Sequence, residues 1–202
     1  MTNGINWRPN PENWRVSHFS ETSSPPNYHS APEAGFSSLN AGRKTAAPAV
    51  INSMRISLAH IGTNRAKKDA FRSLAAGYLE RCGAFARCES QAFATEAALL
   101  EWLDRIAGRE HPVVVLLDST GKQMTSEAFA RWFGERRDRG AQRLVFGVGP
   151  ADGWSATARA RAESLLSLGQ LTLPHSLAQL VMAEQIYRAF TILSGHPYHT
   201  GH

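Results

Sequence analysis

The sequence predicts an α/β fold, a parallel β-sheet with helices on both of its faces. From residue 55 onward, segments with the pattern of strands alternate with segments with the pattern of helices, as in folds built from strand–helix–strand units. Residues 113–117 and 144–148 are continuous apolar runs, which are typical of strands buried on both faces. The chain has 202 residues, and a hydrophobic content of 43% is enough for one core of this kind.

The first half of the predicted domain contains two strand–helix units. Residues 55–61 alternate polar and apolar side chains, which indicates a strand. A helix is predicted over residues 64–81 and a second strand over residues 85–93. Thr95 is the expected N-cap of the next helix, and Gly108 is expected to end it.

The second half continues the alternation around the two apolar strands. Residues 118–122 are predicted to be a loop, and residues 126–139 a helix that stops at Gly140. Residues 149–153 are rich in turn-forming residue types and predict a second loop. A further helix is expected from the N-cap Ser155 to about residue 167.

The last segment predicts a long and mostly apolar helix. Residues 171–173 form a short apolar run that ends at Pro174, which cannot continue a sheet ladder. Ser176 followed by Gln179 has the spacing of a capping box, so the helix should begin there, and Gly195 supplies the residue that commonly ends one. Because its apolar residues leave only a narrow polar strip, we expect this helix to be buried or to form half of an interface.

Composition restricts the class of protein. No apolar run approaches the ~20 residues of a membrane span, and no secretory leader is recognisable, so no membrane association is expected. Cys82 and Cys88 are expected to be reduced core residues, which favours the cytoplasm. A net charge of +5 is compatible with an RNA partner but is common among other proteins too.

Residues 1–53 differ in composition from the rest and contain six of the ten prolines. We interpret them as a disordered N-terminal extension, since such a segment buries too little apolar area to offset its chain entropy, and we assign residues 54–202 to the folded domain. Two alternatives are an RNA-contacting arm and a translation start at Met54.

Three loops are candidates for a binding site. Ligands of open parallel sheets bind outside the carboxyl ends of the strands, where the loops beginning at Leu117, Gly147 and Leu168 are expected. Glycines there would let backbone groups approach a ligand, and leucines would cover its flat face. The alternative is that Gly147, Gly149 and Gly153 serve only tight turns, and the spacing alone favours that alternative.

Other types of site are less well supported. Residues 118–122 lack the spacing of a phosphate-binding loop, so nucleotide triphosphate hydrolysis is not expected. His196, His199 and His202 have no cysteine or carboxylate near them in sequence, and Pro197 prevents a regular helix, so no metal site is predicted.

Three motifs together resemble a known family. They are Leu-Thr-Leu-Pro-His at residues 171–175, Ala-Glu-Gln-Ile-Tyr-Arg-Ala at residues 183–189, and His-Pro-Tyr-His at residues 196–199. In this order they resemble the C-terminal signature of the large-subunit rRNA pseudouridine N3-methyltransferases, which belong to the knotted SPOUT superfamily. The resemblance covers residues 54–199.

This resemblance implies a C-terminal trefoil knot that joins the three loops into a pocket for S-adenosylmethionine. The positions that match the family's cofactor-binding residues are Leu117, Gly147, Gly149, Gly169, Gln170, Leu171, Thr172, Leu173 and Pro174. Tyr198 and His199 match its catalytic end, but Thr200 stands where the family usually has arginine. The loop of residues 147–153 is also one residue longer than the usual family loop.

The same resemblance implies a homodimer that methylates N3 of a pseudouridine in 23S rRNA, in the helix 69 loop of assembled ribosomes. Two alternatives remain open. One is a ribosome-binding protein of the same fold that has lost turnover, which Thr200 favours. The other is a SPOUT methyltransferase that acts on a different RNA.

Overall fold

The structure, a computed structural model, describes residues 54–62 and 69–199, with only the backbone of residue 199. The described residues form alternating strands and helices and end in a short 3₁₀ helix, Pro197–His199. In chain order the elements are β1 (Arg55–Ile61), α1 (Ala70–Cys82), β2 (Arg87–Phe93), α2 (Glu96–Ala107), β3 (Pro112–Lys122), α3 (Ser126–Asp138), β4 (Arg143–Val148), α4 (Ala156–Arg161), β5 (Ser164–Leu166) and α5 (His175–Leu193).

The strands form one sheet in the order β2-β1-β4-β3-β5, and every pairing is parallel. At its carboxyl edge His60 pairs with Val148, and Val148 pairs with Leu117. Helices α1, α3 and α5 cover one face of the sheet, and α2 and α4 cover the other, each face with its own apolar core. The predicted parallel sheet with helices on both faces is therefore confirmed.

Helix α5 is the central element of the larger core. Met182, Ile186 and Phe190 are almost completely buried against the sheet and the neighbouring helices. The Phe190 ring packs edge-on against Phe133 of α3, with ring centroids 5.0 Å apart, and stacks on Phe85 at 5.2 Å. This packing fixes the middle and the C-terminal half of α5 against the sheet and α3.

Strand β3 continues to Lys122, so the prediction of a loop over residues 118–122 was wrong. After an irregularity in register, Lys122 pairs with Leu166, and the Ser167 amide donates to the Lys122 carbonyl oxygen at 3.0 Å. Gly121 permits this approach, because a Cβ atom there would lie 2.6 Å from the backbone of β5. Sequence periodicity cannot show such a long-range pairing.

The helix predicted over residues 155–167 is also shorter than expected. Ser155 caps it as predicted, since its side chain accepts from the Ala158 amide, but α4 ends at Arg161 and the chain enters β5. The Glu163 amide donates to the Val114 carbonyl oxygen at 2.8 Å, which starts the pairing with β3. Residues 164–166 therefore form a strand on the edge of β3, although the local sequence favours a helix.

The predicted capping box of the last helix is absent. Helix α5 begins at His175 with Pro174 at the N-cap, and no side chain caps it. Gln179 is instead buried and contacts the His175 ring. Gly195 does take the left-handed conformation expected after the helix, with φ of 68°.

The start of the first predicted helix lies partly outside the described residues. Helix α1 begins at Ala70, and the Asp69 side chain caps it by accepting from the Phe71 amide at 3.0 Å. The predicted residues 64–68 are among those not described, as are the N-terminal extension of residues 1–53 and Thr200. Within the described ranges, no helix is long and apolar enough to cross a membrane.

Candidate active site

A cavity of about 720 Å³ opens at the carboxyl edge of the sheet. Its walls are the middle of β3, the loop between β4 and α4, and the segment between β5 and α5. These are the three segments expected to form a binding site, although the first is strand and not the predicted loop. The residues that line it are Leu117, Asp118, Ser119, Val148, Gly149, Pro150, Ala151, Asp152, Gly153, Trp154, Arg159, Leu166, Ser167, Leu168, Gly169, Leu171, Thr172, Leu173, Pro174, His175 and Ala178.

Most of the predicted cofactor-binding residues lie in this cavity wall. Those that do are Leu117, Gly149, Gly169, Leu171, Thr172, Leu173 and Pro174. Gly147 and Gln170 are not among the residues that line it. Leu171 is the most exposed large apolar side chain described, with 83% of its surface accessible, and it stands at the cavity wall.

The two glycines of the β4 segment face a tryptophan that the sequence analysis did not single out. A Cβ atom on Gly149 would lie 2.7 Å from Cε2 of the Trp154 indole, and one on Gly147 would lie 3.1 Å from its Cζ2. Neither glycine has a positive φ, whereas Gly153 does, at 87°. Of the three, only Gly153 therefore has the backbone conformation of a glycine turn.

One end of the cavity is charged. The Asp118 carboxylate accepts from the Thr120 amide at 2.9 Å and forms an ion pair with the Arg159 guanidinium at 2.8 Å. Burial alone would raise the pKa of Asp118, but the hydrogen bonds from Thr120 and the Arg159 charge outweigh it and lower that pKa. Asp118 is therefore ionised at neutral pH, and Arg159 is held in the cavity wall.

A second polar group joins the start of α5 to the end of β4. The His175 ring donates through Nε2 to the Val148 carbonyl oxygen at 3.3 Å, and its Nδ1 accepts from the Gln179 amide group at 2.8 Å. These two bonds require the neutral ring with its proton on Nε2. His175 is thus a structural hydrogen-bonding residue, and it also lines the cavity.

His60 lies beneath His175 and was not predicted as part of the site. The two rings meet edge to face with centroids 5.8 Å apart, and His60 is 4% exposed. Among the described residues, His60 Nδ1 has no hydrogen-bond partner. Burial first, then electrostatic interaction with His175 and with Arg72, lower the pKa of His60 to about 4, so this ring is neutral at physiological pH.

Tyr198 is held against the polar strip of α5. Its hydroxyl donates to Glu184 Oε1 at 3.1 Å, and its ring packs on Tyr187 with centroids 4.9 Å apart. Arg188 lies over the ring at 5.1 Å and binds the same Glu184 oxygen. Burial, then the hydrogen bond with Tyr78 and the Glu184 charge, raise the pKa of the Tyr198 phenol, which stays protonated at neutral pH.

The structure does not bring Tyr198 to the cavity. The cavity contacts α5 at His175 and Ala178, whereas Tyr198 contacts the middle of the helix at Glu184 and Tyr187. His199 follows in the same 3₁₀ helix, but its side chain is outside the described part of the chain. One copy of the chain therefore presents the pocket and the C-terminal tyrosine as separate features.

Comparison with known proteins gives consistent matches. Residues 54–199 match the family described as "Predicted SPOUT methyltransferase". The chain is 44% identical over 149 residues to Ribosomal RNA large subunit methyltransferase H of Koribacter versatilis (strain Ellin345), an alignment that covers 74% of this chain and 100% of that protein. The protein of the same name from Rhizobium meliloti (strain 1021) is 40% identical over 163 residues, covering 72% of this chain and 99% of the relative.

Solved structures show a looser similarity. A probable methylase family protein from Haemophilus influenzae Rd KW20 has a TM-score of 0.46 and 9% sequence identity, covering 73% of this chain and 70% of that chain.

Proposed function

Since this chain belongs to the SPOUT methyltransferases and, within them, to the family of ribosomal RNA large subunit methyltransferase H, we propose that it methylates 23S rRNA with S-adenosylmethionine as the methyl donor. The acceptor is N3 of a pseudouridine, in the helix 69 loop of assembled ribosomes, and the site of action is the cytoplasm. The observation that supports this most directly is that the Leu-Thr-Leu-Pro-His motif of residues 171–175 forms part of the cavity wall, at the carboxyl edge of the sheet.

The cavity suits a nucleoside that carries a charged amino acid group, as S-adenosylmethionine does. Apolar Leu117, Leu171 and Leu173 in its wall can cover the face of a purine, and the backbone groups of Gly149 and Gly169 can bind the edge. Its volume of about 720 Å³ lies within the range of small-molecule sites. When bound there, S-adenosylmethionine supplies an electrophilic methyl group on a positively charged sulfur.

The charged end of the cavity suits the amino acid part of such a ligand. Arg159 is positioned by Asp118 and exposes 40% of its side chain, so it can attract a carboxylate. Asp118 and Asp152 supply negative charge that can attract an ammonium group. The pocket therefore offers an apolar wall and both signs of charge in one space.

The chemical step requires the N3–H proton of the pseudouridine to leave and the nitrogen to be aligned with the methyl group. Tyr198 is protonated in this environment, so we assign it hydrogen-bond donation, redirected from Glu184 to the substrate ring or its developing anion, rather than proton abstraction. His199 is the candidate proton acceptor. Orientation by these two residues and by the pocket supplies most of the catalysis.

The proposed assembly is a homodimer in which each chain has its own C-terminal trefoil knot. Phe71 and Leu74 on α1 are 42% and 56% exposed, and Leu171 is exposed as well, so apolar surface remains uncovered on one copy. Residues 1–53 are proposed to be an extension that methyl transfer does not require.

Thr200 favours a second candidate function. Where the family usually has arginine, this chain lacks a cation next to the proposed reaction centre, which is the expectation for a ribosome-binding protein that has lost turnover. Arg188 contacts the Tyr198 ring and can supply a positive charge in its place. We therefore prefer the active enzyme.

The test is methyl transfer from radiolabelled S-adenosylmethionine to purified ribosomes, followed by mass mapping of the rRNA. The expected result is one methyl group on a 23S pseudouridine, and the Thr200→Arg variant should be more active if the missing cation limits the rate. Calorimetric binding of the cofactor without transfer would favour the ribosome-binding protein, and transfer to free tRNA would favour a different RNA substrate. No binding of the cofactor at all would contradict the proposal.

A further inference from the structure

One side chain in the cavity wall, Trp154, is also part of the apolar core. It is 6% exposed and packs into the smaller apolar core with Leu116, Val145 and Ala158. It is also one of the residues that line the cavity. A single indole thus belongs both to the core beneath the pocket and to the surface of the pocket itself.

Gly147 and Gly149 lack the side-chain atoms that would collide with this indole. They lie two residues apart along β4 and its end, so their missing side chains point to the same face of the sheet. Added Cβ atoms would come within 3.1 Å and 2.7 Å of the indole, closer than carbon atoms pack. The space next to Gly149 is therefore filled by Trp154, and the space next to Gly147 is filled by Trp154 together with Leu116, whose Cδ2 would lie 2.6 Å from the added Cβ.

The same indole makes a hydrogen bond to the neighbouring strand. Its Nε1–H donates to the Leu117 carbonyl oxygen at 2.9 Å. Leu117 is part of the cavity wall formed by β3. Gly149 is part of the wall formed by the loop after β4. Trp154 therefore contacts both walls, one by packing and one by a directed bond.

We infer that Trp154 is a positioning residue for the methyl-donor pocket, one that holds Leu117 and the Gly149 loop at the separation the cofactor requires. A rigid aromatic side chain with a satisfied N–H is suited to this task, because a pocket held in its binding conformation loses less entropy when the ligand enters. The inference rests on the proposed function. It also assigns Gly149 a role, which is to admit the indole rather than to admit the cofactor.

The two explanations for Gly149 are separated by a double-mutant cycle of Gly149→Ala and Trp154→Leu in the full chain, with S-adenosylmethionine binding measured by calorimetry. Gly149→Ala alone should weaken binding by about tenfold or more, since the added methyl group displaces the indole. In the Trp154→Leu background the same change should have less than about a twofold effect. Equal effects of Gly149→Ala in both backgrounds would overturn the inference.

A conservative variant keeps the inference testable if Trp154→Leu fails to fold. Trp154→Phe keeps an aromatic ring but loses the N–H bond to Leu117, and it should weaken cofactor binding by roughly two- to tenfold while lowering the melting temperature no more than Trp102→Phe does. Trp102→Phe is the matched control, because Trp102 is similarly buried in the same core but does not line the cavity.

Tryptophan fluorescence reports whether the bound ligand contacts Trp154, and the cofactor affinity of Trp154→Phe compared with Trp102→Phe reports whether Trp154 positions the pocket. Addition of S-adenosylmethionine should alter the emission of the unmodified protein and of Trp102→Phe, and the change should vanish in Trp154→Phe. An unaltered signal and unaltered affinity in Trp154→Phe would overturn the inference. Absence of any binding by the unmodified protein would contradict the proposed function instead.

Discussion

A buried histidine beneath the cavity makes the stability of the protein depend on pH. The pKa of His60 is lowered to about 4, while an unfolded histidine has a pKa near 6.5. Between these values the unfolded chain binds the proton and the folded chain does not. The contribution is therefore fully present above about pH 6.5 and is lost as the pH falls toward 4.

The expected loss is about 2 kcal/mol of the free energy of unfolding between pH 7 and pH 5. It is measured by urea denaturation at the two pH values. His60→Leu removes the titrating ring and should flatten the dependence over that interval. Because the pKa of Asp118 is lowered, this carboxylate affects the free energy of unfolding only below the ordinary pKa of an aspartate, so it does not change the comparison of pH 7 with pH 5. An equally steep dependence in His60→Leu would assign the effect to other groups, of which His175, whose pKa is also lowered by burial, is the first candidate.

The role of Tyr198 is best tested by removing its hydroxyl alone. In Tyr198→Phe the ring still packs on Tyr187, and Glu184 keeps its bonds to Arg188, so the melting temperature and cofactor affinity should change little. Methyl transfer to ribosomes should fall by about 10²-fold if the hydroxyl donates to the substrate.

Tyr78→Phe is the matched control for that experiment. The two hydroxyl oxygens lie 3.5 Å apart, but Tyr78 belongs to α1 and not to the C-terminal motif. The Tyr78→Phe variant should retain methyl transfer. Full activity of Tyr198→Phe would mean that His199 or residues of the loops, and not the Tyr198 hydroxyl, carry the chemical step. Deletion of residues 198–202 is a less specific test, because it also removes the packing on Tyr187.

At the scale of elements, the pairing of β3 with β5 depends on a glycine. A Cβ atom at Gly121 would lie 2.6 Å from backbone atoms of Leu165 and Leu166, which cannot move aside as a flexible side chain can. Gly121→Ala should therefore break the late pairing and lower the free energy of unfolding by about 2 kcal/mol or more. Denaturation in urea measures the change.

Gly77→Ala provides the comparison. Gly77 lies within α1 with no atom inside 4 Å of its added Cβ, so alanine should stabilise the helix by up to about 1 kcal/mol. Opposite signs for the two variants are expected. If Gly121→Ala were as well tolerated as Gly77→Ala, the β3–β5 pairing would not be important for stability.

The elements that the sequence predicts well are those whose signals are local. Thr95 caps α2 and Ser155 caps α4 as expected, and the strand of residues 55–61 has the predicted bounds. Strand β5 was missed because its three residues have no period of their own and exist through the edge of β3. The cap of α5 was misassigned because Gln179 finds a stronger partner in the His175 ring.

At the scale of the whole molecule, the three-loop pocket was predictable and its internal supports were not. The family motifs at residues 171–175 and 196–199 place the loops and the C-terminal end in a known order, and the matched family covers the same residues 54–199. Trp154 and His60 support the pocket through contacts with residues far from them in sequence, Trp154 with Leu117 and His60 with His175. No spacing along the chain reveals that Trp154 faces two glycines or that His60 lies under His175.

Helix α5 poses the largest question about the whole molecule. Its 19 residues span about 28 Å, the cavity lies at its beginning, and Tyr198 folds back only to Glu184 near its middle. We therefore propose that a reaction using both the pocket and Tyr198 combines them from two copies of the chain. A two-fold homodimer built on the exposed apolar surface would do this twice, once at each pocket.

Mixed dimers test this arrangement. Gly149→Val should abolish cofactor binding in its own copy, and Tyr198→Ala should abolish the C-terminal function in its own copy, so each variant alone should be inactive. When the two are co-expressed with different tags and purified through both, each dimer has one pocket and one tyrosine intact. If these belong to the same composite site, the mixed dimer should have about half of the unmodified activity. An inactive mixed dimer would mean that each copy builds its site from its own residues, and a stable monomer in sedimentation at micromolar concentration would contradict the dimer itself.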